Sequence, residues 1–469
     1  ASVKLLWDKG KTFRASWYTM ALERDFGVPG VQPPAGTAPY AVNGTVFSNG
    51  DSASLVNRGA DHDLYSVVEL KGSPANAFTL TLCGEYVDME SYNLSRNAMA
   101  VFPLDAGAGN ESWVTNTVYG IEGIVEYRPT QAAVLLVGAQ HRDYDYENEQ
   151  GDVNAWGVPL SGSRAGQEHG VSTDGLYAEL QYRLLSSLRL SAGARHEKHS
   201  TFGNENLPRF GLVYEPLAGT TLKLSHGKHF KAPTMNDLYW PDSGWVKGNT
   251  DLQAETGWHS DIGVVQQAFD KRLELGATWF QWDIDNRIAW AENPNQPTLT
   301  PGFNYWTPSN VSQSEGRGAE LSAGYRPLTW LRLGLAYTYT NAEDESSPGI
   351  WRQALYTPEH MVRGDVTAES GFGLSGTLTV RWVDERPGYY AKTTDETASR
   401  ILDDYWTVDV KLSQRIRQHW IVSCQVNNLL DEEYDTYLAT FRDMNTNVTS
   451  RVGYPGAGRG VFAKLTYEF

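Results

Sequence analysis

The sequence predicts an all-β chain, a transmembrane antiparallel β-barrel forming one domain over residues 1–469. Three observations predict it. In the last nine residues, Val461, Ala463, Leu465, Tyr467 and Phe469 fall on one face of an extended strand, with Phe462, Lys464, Thr466 and Glu468 on the other. The same two-residue alternation recurs in 19 segments along the chain. The connections between them alternate between tight turns and long loops, the asymmetry of a barrel whose two rims meet different compartments. A soluble β-sandwich would carry similar loops at both ends and an inward apolar face.

Composition narrows the class. There is no run of about 18 apolar residues, so a helical membrane span is excluded. Sixteen Trp and 25 Tyr exceed ordinary usage and suit the aromatic girdles of a barrel. A net charge of -17 without a basic stripe argues against nucleic acid as a partner. Cys83 and Cys424, read as apolar-facing beside Leu82 and Val422, are expected to be free thiols. The sequence contains no nucleophile elbow, phosphate loop, Cys-x-x-Cys or His-Glu-x-x-His, so no enzymatic activity and no cofactor are expected.

Period-two reading places strands at 2–8, 12–24, 62–71, 77–89, 117–128, 131–144, 173–184, 187–199, 208–216 and 220–231. The second half adds 256–268, 271–288, 311–325, 328–342, 359–370, 373–386, 403–415, 418–429 and 457–469. The test is clean in 331–340, where Arg332, Gly334, Ala336, Thr338 and Thr340 oppose Leu331, Leu333, Leu335, Tyr337 and Tyr339. One face suits lipid and the other a polar lumen. The first and last strands both run toward the short-turn rim, so the count is odd, whereas single-chain bacterial barrels are even. An odd number of strands is therefore expected to be missing from the front.

Six stretches in order resemble the barrel of TonB-dependent outer-membrane transporters. They are Phe230-Lys-Ala-Pro233 leading to Leu238-Tyr239, Gly248-Asn-Thr-Asp-Leu252 to Glu255, and Asn310 through Gly318-Ala-Glu320. Thr357-Pro-Glu-His360, Asn427-Asn428-Leu-Leu-Asp431-Glu-Glu-Tyr434 and Pro455-Gly-Ala-Gly-Arg459 complete the set. Arg24-Asp-Phe-Gly-Val-Pro-Gly30 is similar to the loop after the family's fifth strand. Phe230, Pro233, Asn249, Leu252, Asn428, Asp431, Tyr434 and the terminal Phe469 match family positions, and these residues are expected to build the barrel. The prolines mark where a strand leaves the sheet, and Gly316 and Gly318 allow close approach near the rim.

The resemblance implies a barrel of 22 strands around an amino-terminal plug, with the 19 here being the fourth to the twenty-second. It implies a bacterial outer-membrane location, contact with lipid and lipopolysaccharide, and TonB-energised uptake of a bulky scarce nutrient such as a ferric siderophore or a corrinoid. An obligate partner chain is expected to supply the plug, the TonB-binding box and three strands. The alternatives are a docking or scaffold barrel that transports nothing, and a passive porin.

Site candidates are fewer. The outer-loop aromatics Tyr239, Trp240, Trp245, Trp290, Tyr305, Trp306, Trp351, Tyr389 and Tyr390 are expected to form a substrate-catching vestibule, or else an interfacial belt. Asp143, Asp145, Glu147, Glu149 and Asp152 form a weak Ca²⁺ candidate in an acidic loop without the spacing of a Ca²⁺-hand, so no metal is assigned. No His lies between Pro233 and Asn249, which disfavours a haem cargo, and His226 and His229 fall on opposite strand faces.

Overall fold

The computed structural model describes residues 1–10, 12–27, 36–42, 45–47, 57–96, 109–154, 157–298, 304–347, 349–388, 401–417, 419–443, 445–446 and 448–468. Twenty strands share one sheet, and one of them, Ile350–Gln353, is a short spur paired to a single neighbour. The remaining nineteen are β1 (Ser2–Asp8), β2 (Phe13–Gly27), β3 (Arg58–Ala75), β4 (Phe78–Arg96), β5 (Gly109–Tyr127), β6 (Ala133–Val153) and β7 (Ala165–Leu185). They continue as β8 (Leu188–His199), β9 (Gly203–Leu217), β10 (Thr220–Lys231), β11 (Glu255–Ala268), β12 (Leu273–Pro297) and β13 (Asn304–Leu328). The series ends with β14 (Leu331–Ser347), β15 (His360–Glu369), β16 (Leu374–Val383), β17 (Tyr405–Ile416), β18 (Trp420–Asn427) and β19 (Gly460–Tyr467). Each pairs antiparallel with the next in sequence, from β1–β2 through β18–β19, in an up-and-down order. Among the described residues β1 and β19 pair with each other nowhere, so the sheet keeps two open edges.

Register assigns the faces. Leu80, Leu82 and Gly84 of β4 oppose Val125, Gly123 and Ile121 of β5 on the outward face, and most of these side chains stand in the open. Aromatic pairs bound this apolar band at both rims. Phe78 stacks on Tyr127 (4.5 Å between rings) at the short-turn rim, and Tyr86 meets Tyr119 (5.3 Å) eight residues further along β4. At about 3.3 Å per residue that is roughly 26 Å along the strand, or roughly 20 Å of height at the usual tilt of a barrel strand, close to that of a lipid-facing band. Trp382 with Trp406 and Trp420 with Tyr467 repeat the two girdles on β16–β19. No described helix is long and apolar enough to cross a membrane; the crossing elements are strands.

The inward face is polar and cross-linked. Arg142 pairs with Glu85, Arg209 with Glu179, Arg195 with Glu197 (2.6 Å) and Arg381 with Asp409 (2.7 Å), each pair bridging positions that face the lumen. Cys83 opposes Glu69 and Glu122 on this face, while Cys424 faces outward against Leu412 and Ala463. Both cysteines are free, but the expectation that both face apolar surroundings fails for Cys83. At Gly316 a Cβ would lie 2.1 Å from the Trp282 ring, and at Gly318 2.1 Å from the Tyr339 carbonyl oxygen, so both glycines serve close approach.

The strands outrun their sequence boundaries at the long-loop rim. β6 extends to Val153 and β7 begins at Ala165, with paired backbone where a loop was expected. β12 and β13 likewise reach Pro297 and Asn304. One connection on this rim, between His199 and Gly203, is a tight turn rather than a long loop. Above the lipid band both faces of a strand meet water, so the apolar alternation ends while the hydrogen-bonded ladder goes on.

Candidate functional site

The segment between β10 and β11 folds inward over the mouth of the lumen. β10 ends at Lys231, because Pro233 has no N–H for the ladder. Thr234 then caps a short helix, α1 (Met235–Tyr239). The cap is reciprocal: the Asp237 N–H donates to Thr234 Oγ1 (3.1 Å), and Asp237 Oδ2 accepts from the Thr234 N–H (2.9 Å) and hydroxyl (2.7 Å). The free oxygen, Oδ1, accepts from Trp290 Nε1 at 2.7 Å. Asp237 is buried and carries three donors on one carboxylate.

α1 rests on the lumenal face of β6 and β7. Leu238 is buried against Val171 and Leu252, with Tyr144 and Ile288 beside them. The Tyr146 hydroxyl donates to Asn236 Oδ1 (2.8 Å) and accepts from Asn148 Nδ2 (2.7 Å). His169 stacks on Tyr239 with ring centroids 3.9 Å apart, and Gln167 donates to the Tyr239 carbonyl. A bulge between Ile284 and Ile288, with Asn286 at φ 56°, aims Ile288 and Trp290 at the helix.

The return path is pinned by the predicted motif residues. The Asn249 N–H donates to the Asp237 carbonyl (2.8 Å) and its side chain to Pro308 O (3.0 Å). Asn310 reaches Gln253 O and Asn286 O, and accepts from the Gln253 N–H. Leu252 closes the small core. A second knot ties β17, β18 and β19. Asn428, at φ 49°, bonds Asp409, Glu432 and Ala457, and Asp431 accepts from the Arg459 N–H (2.9 Å) and guanidinium (2.7 Å). The backbone N–H and guanidinium of Arg459 hold the Asp431 carboxyl below the usual range. Tyr434 stacks on Tyr405 at 4.0 Å. Phe230 lies 6.0 Å from Phe202, and Phe469 lies outside the described residues.

The predicted aromatics divide into three groups. Tyr239, Trp240 and Trp290 meet at α1, with Trp240 edge-on to Trp290 at 6.4 Å; they hold the segment in place. Trp245, Tyr305 and Trp306 form a second patch. The Trp306 N–H donates to the Trp245 carbonyl, Lys247 sits over the Tyr305 ring at 4.3 Å, and the Tyr305 hydroxyl reaches Asp242 at 3.3 Å. Trp245 and Trp306 stay 48% and 44% exposed, surface open to a ligand. Trp351 stands apart on Ile350–Gln353, and Tyr389 and Tyr390 lie outside the described residues.

The acidic stretch expected as a loop is a strand. Asp143, Asp145, Glu147 and Glu149 lie in β6 at alternate positions of its outward face, roughly 7 Å apart, and Asp152 faces the other way. A straight strand spreads such carboxylates instead of converging them, and no described cluster of three ligating residues could hold a metal. His226 faces outward on Trp258 (4.7 Å) and His229 inward near His259 (6.1 Å), on opposite faces as expected. What sequence reading missed is the wall under α1. Tyr144, Tyr146 and Asn148 alternate with the acids of β6, a signal present in the sequence but masked by their charge.

Residues 4–429 match the sequence profile of the family described as TonB dependent receptor-like, beta-barrel. The chain belongs to the TonB-dependent receptors. Among curated relatives, the vitamin B12 transporter BtuB of Vibrio vulnificus is 25% identical over 419 residues, 89% of this chain and 59% of the relative. The ferripyoverdine receptor of Pseudomonas aeruginosa is 22% identical over 306 residues, 63% of this chain and 36% of that one. Among solved structures, the Pseudomonas aeruginosa ferripyoverdine receptor bound to ferripyoverdine matches with a TM-score of 0.74 at 16% identity, over 100% of this chain and 64% of that one. The catecholate import receptor Fiu of E. coli K12 matches at 0.69 and 15% identity, over 100% and 74%. The chain spans about half the length of the curated relatives it matches. It is a β-barrel protein of the outer membrane, its short turns periplasmic and its long loops outside.

Proposed function

We propose that this barrel is the wall and outer vestibule of an uptake receptor for a bulky scarce nutrient, a ferric siderophore or a corrinoid, energised through TonB. The observation that supports the reading is the segment 232–254, folded onto the lumenal wall, whose Trp245 carbonyl accepts from the Trp306 N–H of β13, both side chains staying exposed. Flat rings on an ordered segment bury much of a large ligand at little entropic cost. The curated relatives include transporters of vitamin B12 and receptors for ferripyoverdine, which supports both ligand classes equally.

The open edges of β1 and β19 complete the proposal. Two unpaired edges in hydrocarbon are strongly unfavourable, so further strands close the seam, three of them on the family's count, and a plug fills the lumen. The greater length of the relatives favours the same polypeptide as their source over a second chain. The test is growth on cobalamin, and separately on ferric siderophores, of a strain lacking its own receptors and expressing the full receptor. Growth restored on one ligand class and lost with Trp245→Ala/Trp306→Ala supports the reading. Direct binding of neither class, with the barrel assembled, favours a docking barrel that transports nothing.

A further inference from the structure

We infer that a recess in the lumenal face of β10–β12, at His229, His259 and Trp282, is a second ligand subsite, built for a flat, uncharged, amide-fringed surface such as the edge of a corrinoid. It deepens, and rests on, the proposed reading of the chain as an uptake receptor.

Register lays out the recess. On the inward face one row across the wall runs Gly227, His259, Trp282, Gly316, and the next runs His229, Gly257, Ile284, Ser314. Bulky side chains alternate with glycines both along and across the strands, and each glycine leaves a gap beside a ring. At Gly257 a Cβ would lie 2.1 Å from the Asp283 carbonyl oxygen, so this gap cannot be filled without moving backbone. The result is a cavity of about 340 Å³ whose lining includes His229, Gly257, His259, Trp282 and Ile284. On the other side of the wall His226 stacks on Trp258 where the outward apolar run of Leu222, Leu224 and Ile262 ends. The recess therefore lies at the outer end of the lumen, between the two strands that the segment 232–254 connects.

Its chemistry is polar without net charge. The two imidazoles meet edge to face, with 6.1 Å between ring centroids. His259 Nε2 donates to Asp261 Oδ1 at 2.8 Å, which leaves Nδ1 for another partner. His229 is exposed, and among the described residues its ring nitrogens have no hydrogen-bond partner. Open nitrogens that can donate or accept thus stand beside an indole and an isoleucine. The fixed charges nearby are matched: Lys231 pairs with Glu255 (3.3 Å), and Asp283 shares the outward face with Trp258. A ferric tris-catecholate or similar anionic chelate would give up hydration here and gain no ion pair. A corrin carries carboxamides around a flat, largely apolar ring. It matches both halves of the lining, amides against the imidazoles and ring against Trp282 and Ile284.

The test combines equilibrium titration with histidine footprinting on the full receptor in detergent. Cyanocobalamin is expected to bind and to shield His229 and His259 from diethyl pyrocarbonate, while the remaining exposed histidines keep their reactivity. H229A/H259A should bind it about tenfold more weakly, whereas H229Q/H259Q, whose amides donate and accept, keeps most of the affinity. Cyanocobalamin that binds without shielding either histidine, with H229A/H259A unchanged, overturns the subsite and leaves the uptake reading standing. Binding of a ferric tris-catecholate alone overturns the uncharged ligand class, again with the uptake reading intact. Binding of neither overturns the uptake reading on which the subsite rests. Histidines already unreactive in the unliganded receptor show the recess filled by the receptor itself, and also overturn the subsite. Heat-modifiable migration on gels reports assembly of each variant, and if H229A/H259A fails to assemble, the footprint decides alone.

Discussion

Asp237→Ala is the sharpest perturbation of the outer segment. In the folded receptor this buried carboxylate accepts from the Thr234 N–H, the Thr234 hydroxyl and Trp290 Nε1, at 2.9, 2.7 and 2.7 Å. Alanine strands all three donors and removes the side-chain half of the reciprocal cap, while its own N–H still donates to Thr234 Oγ1. Taking about 1 kcal/mol each, below the usual range for a charged acceptor because water at the rim re-solvates the stranded donors, the loss is about 3 kcal/mol, or about two orders of magnitude in the local opening equilibrium. Hydrogen exchange of the receptor in detergent reads this directly. Amides of 234–249 are expected to lose about a hundredfold in protection while the strand ladders keep theirs. Asp237→Asn, which retains one acceptor oxygen, should fall between. Unchanged protection over 234–249 would refute the assignment of the segment to the rim, and loss across all strands would refute its independence of the barrel.

Other outcomes follow from the same geometry. Trp245→Ala and Trp306→Ala should each weaken ligand binding by about 1 kcal/mol, near fivefold by titration, without altering assembly, because both rings are half exposed and hold no strand. Asn428→Ala removes bonds to Glu432 and Ala457 at a left-handed position, and should lower the temperature of heat-modifiable unfolding. Gly318→Ala places a Cβ 2.1 Å from a backbone oxygen and should reduce the assembled barrel in membranes, seen on semi-native gels. Asp431 titrates below its ordinary value, so its pairing with Arg459 stabilises above the unfolded carboxylate pKa and is lost as pH falls through the folded one. Exchange of residues 428–459 should therefore quicken in acid, and Asp431→Asn should abolish that dependence.

The barrel was legible wherever one strand face meets lipid. Leu80 and Leu82 against Thr79 and Thr81 admit one register, because slipping by a residue would turn the polar face outward. Legibility stopped above the aromatic girdle. From Asp143 to Gln150 one face is acidic and the other carries Tyr144, Tyr146 and Asn148 in place of an apolar run, so β6 read as an acidic loop although its backbone stays paired to β5 and β7. The outer aromatics were recognisable as rim residues, but not their division of labour. Tyr146 meets Asn236 across 90 residues of sequence, and Trp290 meets Asp237 across 53. Such contacts depend on where a loop folds, which period-two patterning does not encode. Cys83 sits one position from Leu82 on the chain and on the other side of the wall in space.

The central claim is that these nineteen strands are part of a larger closed, plugged barrel. A cryo-electron microscopy map of the receptor purified in mild detergent tests it most directly. The account predicts three additional strands between the edge at Val3 and the edge at Val461, and a folded segment filling the lumen. A map in which β1 pairs directly with β19 around an empty lumen would contradict it.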